Sequence, residues 1–352
     1  MLEIGAHAPG WQFVGKGSTP FVTIDRLDEV AAEGIIGLIH NAAEATQVTA
    51  SVGAAVSIQR EHTDLGLLTV GNDDSMTGRM GAQHLLERGV VTFGFVGDAE
   101  SADSARRLDG FRTAIKETGR SCHVLEPIWD DRASPHDLIG DWLKPLPKPM
   151  GIMAFNDHYA RLTVTAAQQQ GLRVPDDVLV LGVNNNPWTN AMSPVPLSSI
   201  ELDMPRIGLT AARMLDDLMN GETPSPQLVP PRGVVARRST EIILTEDPLV
   251  TRALTYIRDH VAEGVNVDDV LDQIRVSRST LVNRMKRAIG QTPHEAICQA
   301  RIDQAKLLLV NSEDSMERIA YRCGFSSQPR FNESFKRLAA MTPGQFRQQR
   351  SR

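Results

Sequence analysis

Two sets of side chains in this chain have the types and spacing to hold a ligand. The first stands where apolar runs end, at Asn72-Asp73, Asp98, Asn156-Asp157 and Asn184-Asn185-Asn186. Each offers amide or carboxylate groups that can pair with neighbouring hydroxyls, and Trp129 and Trp188 can stack on the apolar face of a sugar ring. An Asn or Asp at a strand end is also a common helix cap or turn residue, so the residues alone leave both uses open. Other motifs fail on their details. Gly10 to Lys16 has the spacing of a phosphate-binding loop, but Gly17 follows where Ser or Thr is needed, and Trp-Gln-Phe inside it would obstruct the backbone amides. His294-Glu295 lacks the second histidine of a zinc-protease helix, and no Ser or Cys sits in a nucleophile elbow.

The second set is cationic and amide-bearing, and its pattern occurs twice. In VNVDDVLDQIRVSRSTLVNRMKRAIG, Val267, Val270, Leu271 and Ile274 keep helical spacing and Val276 breaks the run. Ser277 is placed to cap a second helix that carries Leu281 and Met285 inward. Arg278, Ser279, Val282, Asn283 and Lys286 fall on its outer face, and no acid occurs between Arg275 and Arg287. In SMERIAYRCGFSSQPRFNESFKRLAAMTPGQFR, Ile319 and Ala320 belong to a first helix, Cys323-Gly324-Phe325 makes the turn, and Phe331 and Phe335 point inward from a second. Its outward set is Gln328, Arg330, Asn332, Glu333 and Lys336. A helix predicted over 294–310 joins the two units and spans roughly 25 Å at about 1.5 Å per residue. That length suits two recognition helices set about 34 Å apart, one turn of B-DNA. Both outer faces suit a phosphate-lined groove.

The elements that must position the first set are legible in the apolar pattern. GIIGLI, GLLTVG, VTFGFVG, MGIMAF and VLVLGV are near-continuous apolar runs, as strands buried on both faces of a parallel sheet should be. Helices predicted over 75–88, 104–118, 135–143 and 157–170 alternate with them. This βα rhythm predicts a doubly wound α/β fold, whose ligands sit beyond the carboxyl ends of the strands. The first set lies there.

Bulk composition excludes fibrous and disordered classes: 41% hydrophobic and 23% charged residues over 352 positions support two or three ordinary domains. No apolar run approaches a bilayer span of about 18 residues, and the beginning lacks a basic-then-apolar signal pattern, which points to the cytosol. Cys122, Cys298 and Cys323 are too few and scattered for a disulfide framework or a zinc site. No cofactor is expected. From Glu246 onward the chain has 17 Lys and Arg against 13 Asp and Glu, and before it 20 against 30. The basic end is the nucleic-acid end.

These residues carry two resemblances. The last hundred or so resemble the DNA-binding domain of AraC-type transcription regulators, through Ser277-Arg278-Ser279, Thr292-Pro293, Arg301, Leu308-Leu309, Gly324-Phe325-Ser326-Ser327-Gln328, Phe335-Lys336 and Thr342-Pro343. The likeness implies that Ser279, Val282 and Asn283, and then Gln328, Asn332 and Glu333, face bases. Residues 66–240 resemble the effector domain of LacI/GalR-type regulators, through 73–89, Ser104-Ala105-Arg106-Arg107-Leu108-Asp109-Gly110-Phe111, Asn156-Asp157, Val174-Pro175-Asp176-Asp177-Val178, Gly182-Val183-Asn184-Asn185 and VPPRGVVARRST. It implies a two-lobed periplasmic-binding-protein-like α/β fold, followed here by an all-α domain with two helix-turn-helix units. Arg107 falls where such proteins place an arginine on the ligand; a lone surface guanidinium is the plainer alternative. The expected ligand set is Asp73, Arg107, Asn156, Asp157, Asn184 and Trp188.

The expected domains are 1–240 (effector), 241–247 (linker) and 248–352 (DNA-binding). Within the first, the likeness implies one lobe from 1–97 with 202–221 and a second from 98–192 with the closing strand. Sensor-before-AraC order resembles activators of pentose uptake and catabolism genes. It implies a small-molecule sugar effector (D-xylose or related), double-stranded DNA and RNA polymerase as partners, and a homodimer. A sugar-binding or sugar-processing protein with a helical assembly tail is the competing class. Four departures qualify the likeness. Arg275 stands at a turn glycine, Pro329 sits early in the second recognition helix, and Asn184 replaces an aspartate. Relatives also have a strand and helix before MLEIGAHAPGWQFVG, so the first strand is expected upstream of Met1 or lost from this lobe.

Overall fold

In a computed structural model of the chain, the structure describes residues 23–29, 32–39, 41–58, 67–126, 134–242, 245, 247–312 and 314–350. The segment 1–22, with the glycine-lysine decoy and WQFVG, lies outside them, as does Trp129. The chain divides into two compact units, 1–242 and 243–352.

The first unit runs β1 (Gly34–Gly37), α1 (Ala42–Ser51), β2 (Ala54–Ser57), β3 (Leu68–Asn72), α2 (Asp74–Leu86), β4 (Thr92–Val96), α3 (Ala102–Glu117), β5 (Cys122–Leu125), α4 (Pro135–Leu143), β6 (Met150–Ala154), α5 (Asp157–Gln169), β7 (Val178–Val183), α6 (Pro187–Met192), β8 (Ser198–Glu201), α7 (Met204–Met219), β9 (Gln227–Val229) and β10 (Gly233–Val235). Among these residues the strands form two sheets, ordered β1-β2-β3-β9 and β10-β8-β7-β6-β4-β5. All their pairings are parallel except that of β10 with β8.

The larger sheet is wound on both faces. Met150, Ile152, Ala154, Val178 and Val180 pack with Ile139 and Leu143 of α4 and Ala160, Leu162 and Val164 of α5. Phe93, Phe95, Met153, Leu179 and Leu181 pack on the other face with Ala82 and Leu85 of α2 and Leu108, Phe111 and Ile115 of α3. Consecutive strand residues thus alternate between two apolar cores, which is why these runs read as continuously hydrophobic. The five predicted strands and four predicted helices all form, with ends shifted by a few residues at most.

The expected lobe boundary near residue 97 is wrong. β4 lies between β6 and β5 in the larger sheet, and α2 packs along α3, so both belong to the second lobe. The smaller sheet takes β9 from late in the unit and the larger takes β10, and the chain crosses between lobes at Asn72-Asp73, Leu202-Asp203 and between β9 and β10. Local apolar pattern identifies a strand but not its non-local partner. The α2–α3 contact is close because a Cβ at Gly78 would overlap the Arg107 carbonyl, and one at Gly110 the Ser75 carbonyl.

The second unit is helical: α8 (Pro248–His260), α9 (Val267–Ile274), α10 (Arg278–Ile289), α11 (Pro293–Asn311), α12 (Met316–Arg322), α13 (Gln328–Ala339) and α14 (Pro343–Arg350). One core gathers Val250, Ile257, Val270, Ile274, Leu281, Met285 and Ile297; another gathers Ile302, Leu309, Ile319, Cys323, Phe325, Phe331 and Phe335. The helix α11 contributes to both. Asp247 caps α8, accepting from the Leu249 and Val250 amides. Asn266 and Asp269 form a capping box on α9, Ser277 caps α10 through the Thr280 amide, and Thr292 and Glu295 form a box on α11.

Arg275 ends α9 in the left-handed region, at φ 59° and ψ 51°. A side chain costs about 1 kcal/mol there relative to glycine. Arg275→Gly is therefore expected to raise the urea midpoint of the transition that unfolds this unit, by about 1 kcal/mol of stability. An unchanged or lowered midpoint would show that the Arg275 side chain makes up for its backbone.

Candidate effector site and nucleic-acid interface

The strand-end residues of the first unit fall into two groups. Asp73, Asn156 and Asn186 are helix caps: Asp73 Oδ1 accepts from the Met76 amide at 2.8 Å, Asn156 Oδ1 from Tyr159 at 3.2 Å, and Asn186 Oδ1 from Trp188 and Thr189 at 3.0 Å each. Capping uses one oxygen of each group. Asn184 is exposed with φ 101°, far from where an L side chain is at ease. Trp188, on α6, is 78% exposed, an apolar face open to solvent.

The other group is buried and joined. Arg107 is 3% exposed, so a surface guanidinium is ruled out. Its Nε donates to Asp74 Oδ1 at 2.8 Å, its Nη1 to the Phe155 carbonyl at 2.8 Å, and the guanidinium lies 5.2 Å from the Phe155 ring centroid. Asp157 accepts from Ser199 Oγ and from the Asn186 amide, both at 2.6 Å. A Cβ at Gly182 would collide with its carboxylate. Burial nevertheless dominates over these bonds and pushes the Asp157 carboxyl up to about 6. Tyr159 Oη donates to Asp98 Oδ2 at 2.9 Å. Asn72 Oδ1, at the end of β3, is buried with no hydrogen-bond partner among the described residues. A buried acceptor left unmatched is costly unless something fills it.

Asp74, Ser199 and Tyr159 were not singled out by the sequence reading. Asp74 carried a signal, an acid directly after a strand and a cap; Ser199 lies in a polar strand, SSIE, whose burial only the fold reveals.

In the second unit Arg278, Ser279, Asn283 and Lys286 are exposed on α10, with Val282 half-buried; Arg330, Asn332, Glu333 and Lys336 are exposed on α13, with Gln328 half-buried. Leu281, Met285, Phe331 and Phe335 anchor the opposite faces. Arg278 pairs with Asp268 at 2.6 Å, and Ser279 Oγ lies 3.1 Å from Ser277 Oγ. Arg284 holds the α8 cap, Asp247, through two bonds of 2.6 Å. Lys286, Arg330 and Lys336 form no ion pair among the described residues. Pro329 takes the first turn of α13, where its missing N–H is tolerated.

Residues 82–240 match a periplasmic binding protein-like domain, and residues 270–349 a helix-turn-helix domain. The chain is 34% identical over 272 residues to the xylose operon regulatory protein of Escherichia coli K12, covering 75% of this chain and 69% of that protein. It is 32% identical over 286 residues to the protein so named in Haemophilus influenzae, covering 79% and 74%. A solved structure of the xylose-binding transcription activator xylR aligns with a TM-score of 0.73 at 29% identity, over 90% of this chain and 86% of that one. The chain belongs to the family of the xylose operon regulatory proteins. Its relatives are named as regulators rather than as enzymes. Among the described residues no helix is long and apolar enough to cross a membrane.

This xylose-operon-regulator family member buries two titrating groups with opposite consequences. His84, 2.9 Å from Thr240 Oγ1, is held down to about 3 by burial and by Arg88. Its folded value lies below its ordinary 6.5, so it contributes stability above 6.5 that is lost as pH falls towards 3. Asp157 is raised from 3.8 to about 6, so its contribution is complete below 3.8 and lost as pH rises through 6. Between about pH 4 and 6 the two slopes oppose, each near 1.4 kcal/mol per pH unit. Urea unfolding should then show stability rising with pH across this window in Asp157→Asn and falling in His84→Gln. Equal profiles in both variants would refute the assignment.

Proposed function

We propose that this regulator binds duplex DNA through α10 and α13 and is controlled by a pentose, D-xylose or a related sugar, held at the strand ends of its first unit. It acts in the cytosol as a homodimeric activator of pentose uptake and catabolism genes, in contact with RNA polymerase. The observation that carries this reading is likeness to relatives named xylose operon regulatory proteins along both units rather than one. The unmatched Asn72 Oδ1 supports it as an acceptor awaiting a hydroxyl.

In this reading Asp73 and Asn156 offer the atoms their caps leave unused, Arg107 and Asp157 supply fixed donors and acceptors, Asn184 presents an amide, and Trp188 stacks on the sugar. At the other end Ser279, Val282, Asn283, Gln328, Asn332 and Glu333 meet bases, while Arg278, Lys286, Arg330 and Lys336 meet phosphates.

A pentose panel in a thermal melt of the full chain tests the sensor. At about 100 times its dissociation constant a bound sugar adds about 2.7 kcal/mol, enough to move the midpoint by a few degrees. Trp188→Ala should weaken that shift while leaving the sugar-free midpoint nearly unchanged, because the ring is exposed. A melt that no pentose moves would sink the pentose assignment.

Duplex binding followed by anisotropy tests the other half. With six or more phosphate contacts, affinity should fall by about 10³-fold or more between 50 and 200 mM salt. Asn283→Ala should lose about 1–3 kcal/mol of specific over non-specific binding. Weak binding without salt dependence would favour the assembly-tail alternative.

A further inference from the structure

We infer that Arg237 is a positioning residue, tying the strand-end loop 184–186 to the segment on which the first unit ends. The inference rests on the effector role proposed above and assigns a residue that role does not use.

On the loop side, Asn184 and Asn185 both have positive φ, 101° and 50°. Non-glycine residues held there store strain and persist only where neighbours over-determine them. The neighbours are on the page. The Asn185 amide donates to Ser199 Oγ at 2.9 Å, Ser199 Oγ donates to Asp157, and the Asn186 amide donates to the same carboxylate. The Asn185 side chain is drawn elsewhere: its Oδ1 accepts from Arg237 Nη2 at 2.7 Å.

On the exit side, Arg237 Nη1 donates to the Leu197 carbonyl at 2.7 Å, and its backbone N–H donates to Ser198 Oγ at 2.8 Å. Ser198 Oγ lies 2.7 Å from Thr240 Oγ1, which His84 also meets; Arg88 Nε donates to the Thr240 carbonyl at 2.9 Å. Ser239 Oγ donates to the Val180 carbonyl and accepts from the Ser198 amide at 2.8 Å. The last residues of the unit are thus pinned to β7, β8 and α2, and one guanidinium joins that pinning to the loop.

A sugar that binds two arrangements of loop 184–186 with different affinity shifts the balance between them. Through Asn185 Oδ1 it reaches the fork of Arg237, whose two bonds are set by one rigid plane, and changes how firmly residues 237–240 are held. The segment that leads to the DNA-binding unit is the readout.

The experiment uses the full chain, D-xylose, and a duplex selected by the wild-type protein. Calorimetry measures sugar affinity and anisotropy measures DNA affinity with and without sugar. Arg237→Ala should keep both the sugar affinity and the sugar-free DNA affinity within about threefold, while the sugar-induced change in DNA affinity drops about tenfold, within the usual range of coupling. Arg237→Lys, which keeps the charge but reaches one acceptor, should restore part of the response. Asn185→Ala should lose the response too, and the double variant should lose no more than either single. An undiminished response in Arg237→Ala overturns the inference alone. So does loss of sugar affinity in step with the response, or additivity in the double variant, either of which would mark a merely structural residue. A wild-type chain whose DNA affinity ignores every pentose overturns the sugar-sensing reading and this coupling together.

Discussion

The effector unit depends on a buried ion pair. Arg107 of α3 meets Asp74 in the first turn of α2 and the carbonyl of Phe155 just past β6, so one side chain ties a helix start and a strand end to α3. Both partners are almost without solvent; removing Asp74 leaves the Arg107 charge buried at a cost of about 3–5 kcal/mol, whereas removing Arg107 leaves Asp74 with Arg106, 3.4 Å away. The pair also explains the glycines. For Arg107 to reach Asp74, α2 and α3 must lie so close that Gly78 and Gly110 have no room for a Cβ. An alanine at either would push the helices apart and lengthen the bond. A residue that resembles a ligand arginine thus has a prior structural task, and any ligand meets a guanidinium already aimed and neutralised on one side.

The DNA-binding unit is built on one local pattern used twice. The helices α10 and α13 both end on a left-handed residue, Gly290 and Ala340, and both lead into a Thr-Pro start whose threonine is matched three residues on by Glu295 or Gln345. These caps fix where each recognition helix stops and the next helix begins without help from tertiary contacts. Packing then differs: Leu281 and Met285 fill the first half, while Phe325, Phe331, Phe335 and Phe346 form an edge-packed aromatic chain in the second. Shared caps with different cores let two units keep the same exposed geometry while presenting different side chains outward.

How much of this was legible follows from which interactions are local. The runs VTFGFVG, MGIMAF and VLVLGV announce strands because both their faces are buried, and Ser277 and Thr292 announce helix starts because a cap acts within three residues. The lobe to which β4 belongs was not legible, since a strand's partner is chosen by the whole fold. Nor was β8: SSIE lacks an apolar run, yet Ser198 and Ser199 are buried, with hydroxyls that meet Arg237, Thr240, Asn185 and Asp157. Asp73 and Asn156 showed both capping and binding potential in the sequence, and it is the fold that shows each one capping a helix.

The charges of the second unit show why its basic balance is available to DNA. Arg278, Arg318 and Arg322 have acidic partners, Asp268 and Asp314, but these arginines are about half or more exposed. Exposed pairs are weak in water and weaken further with salt. A backbone phosphodiester offers the same single charge on two non-bridging oxygens and releases condensed counterions when it is met. Such arginines can exchange an internal carboxylate for DNA at little cost, whereas Arg284, bidentate on the cap of α8, would give up a helix start to do so. In the proposed DNA-binding role, Asp268 and Asp314 would act as placeholders that hold these arginines in the free protein and release them to phosphates.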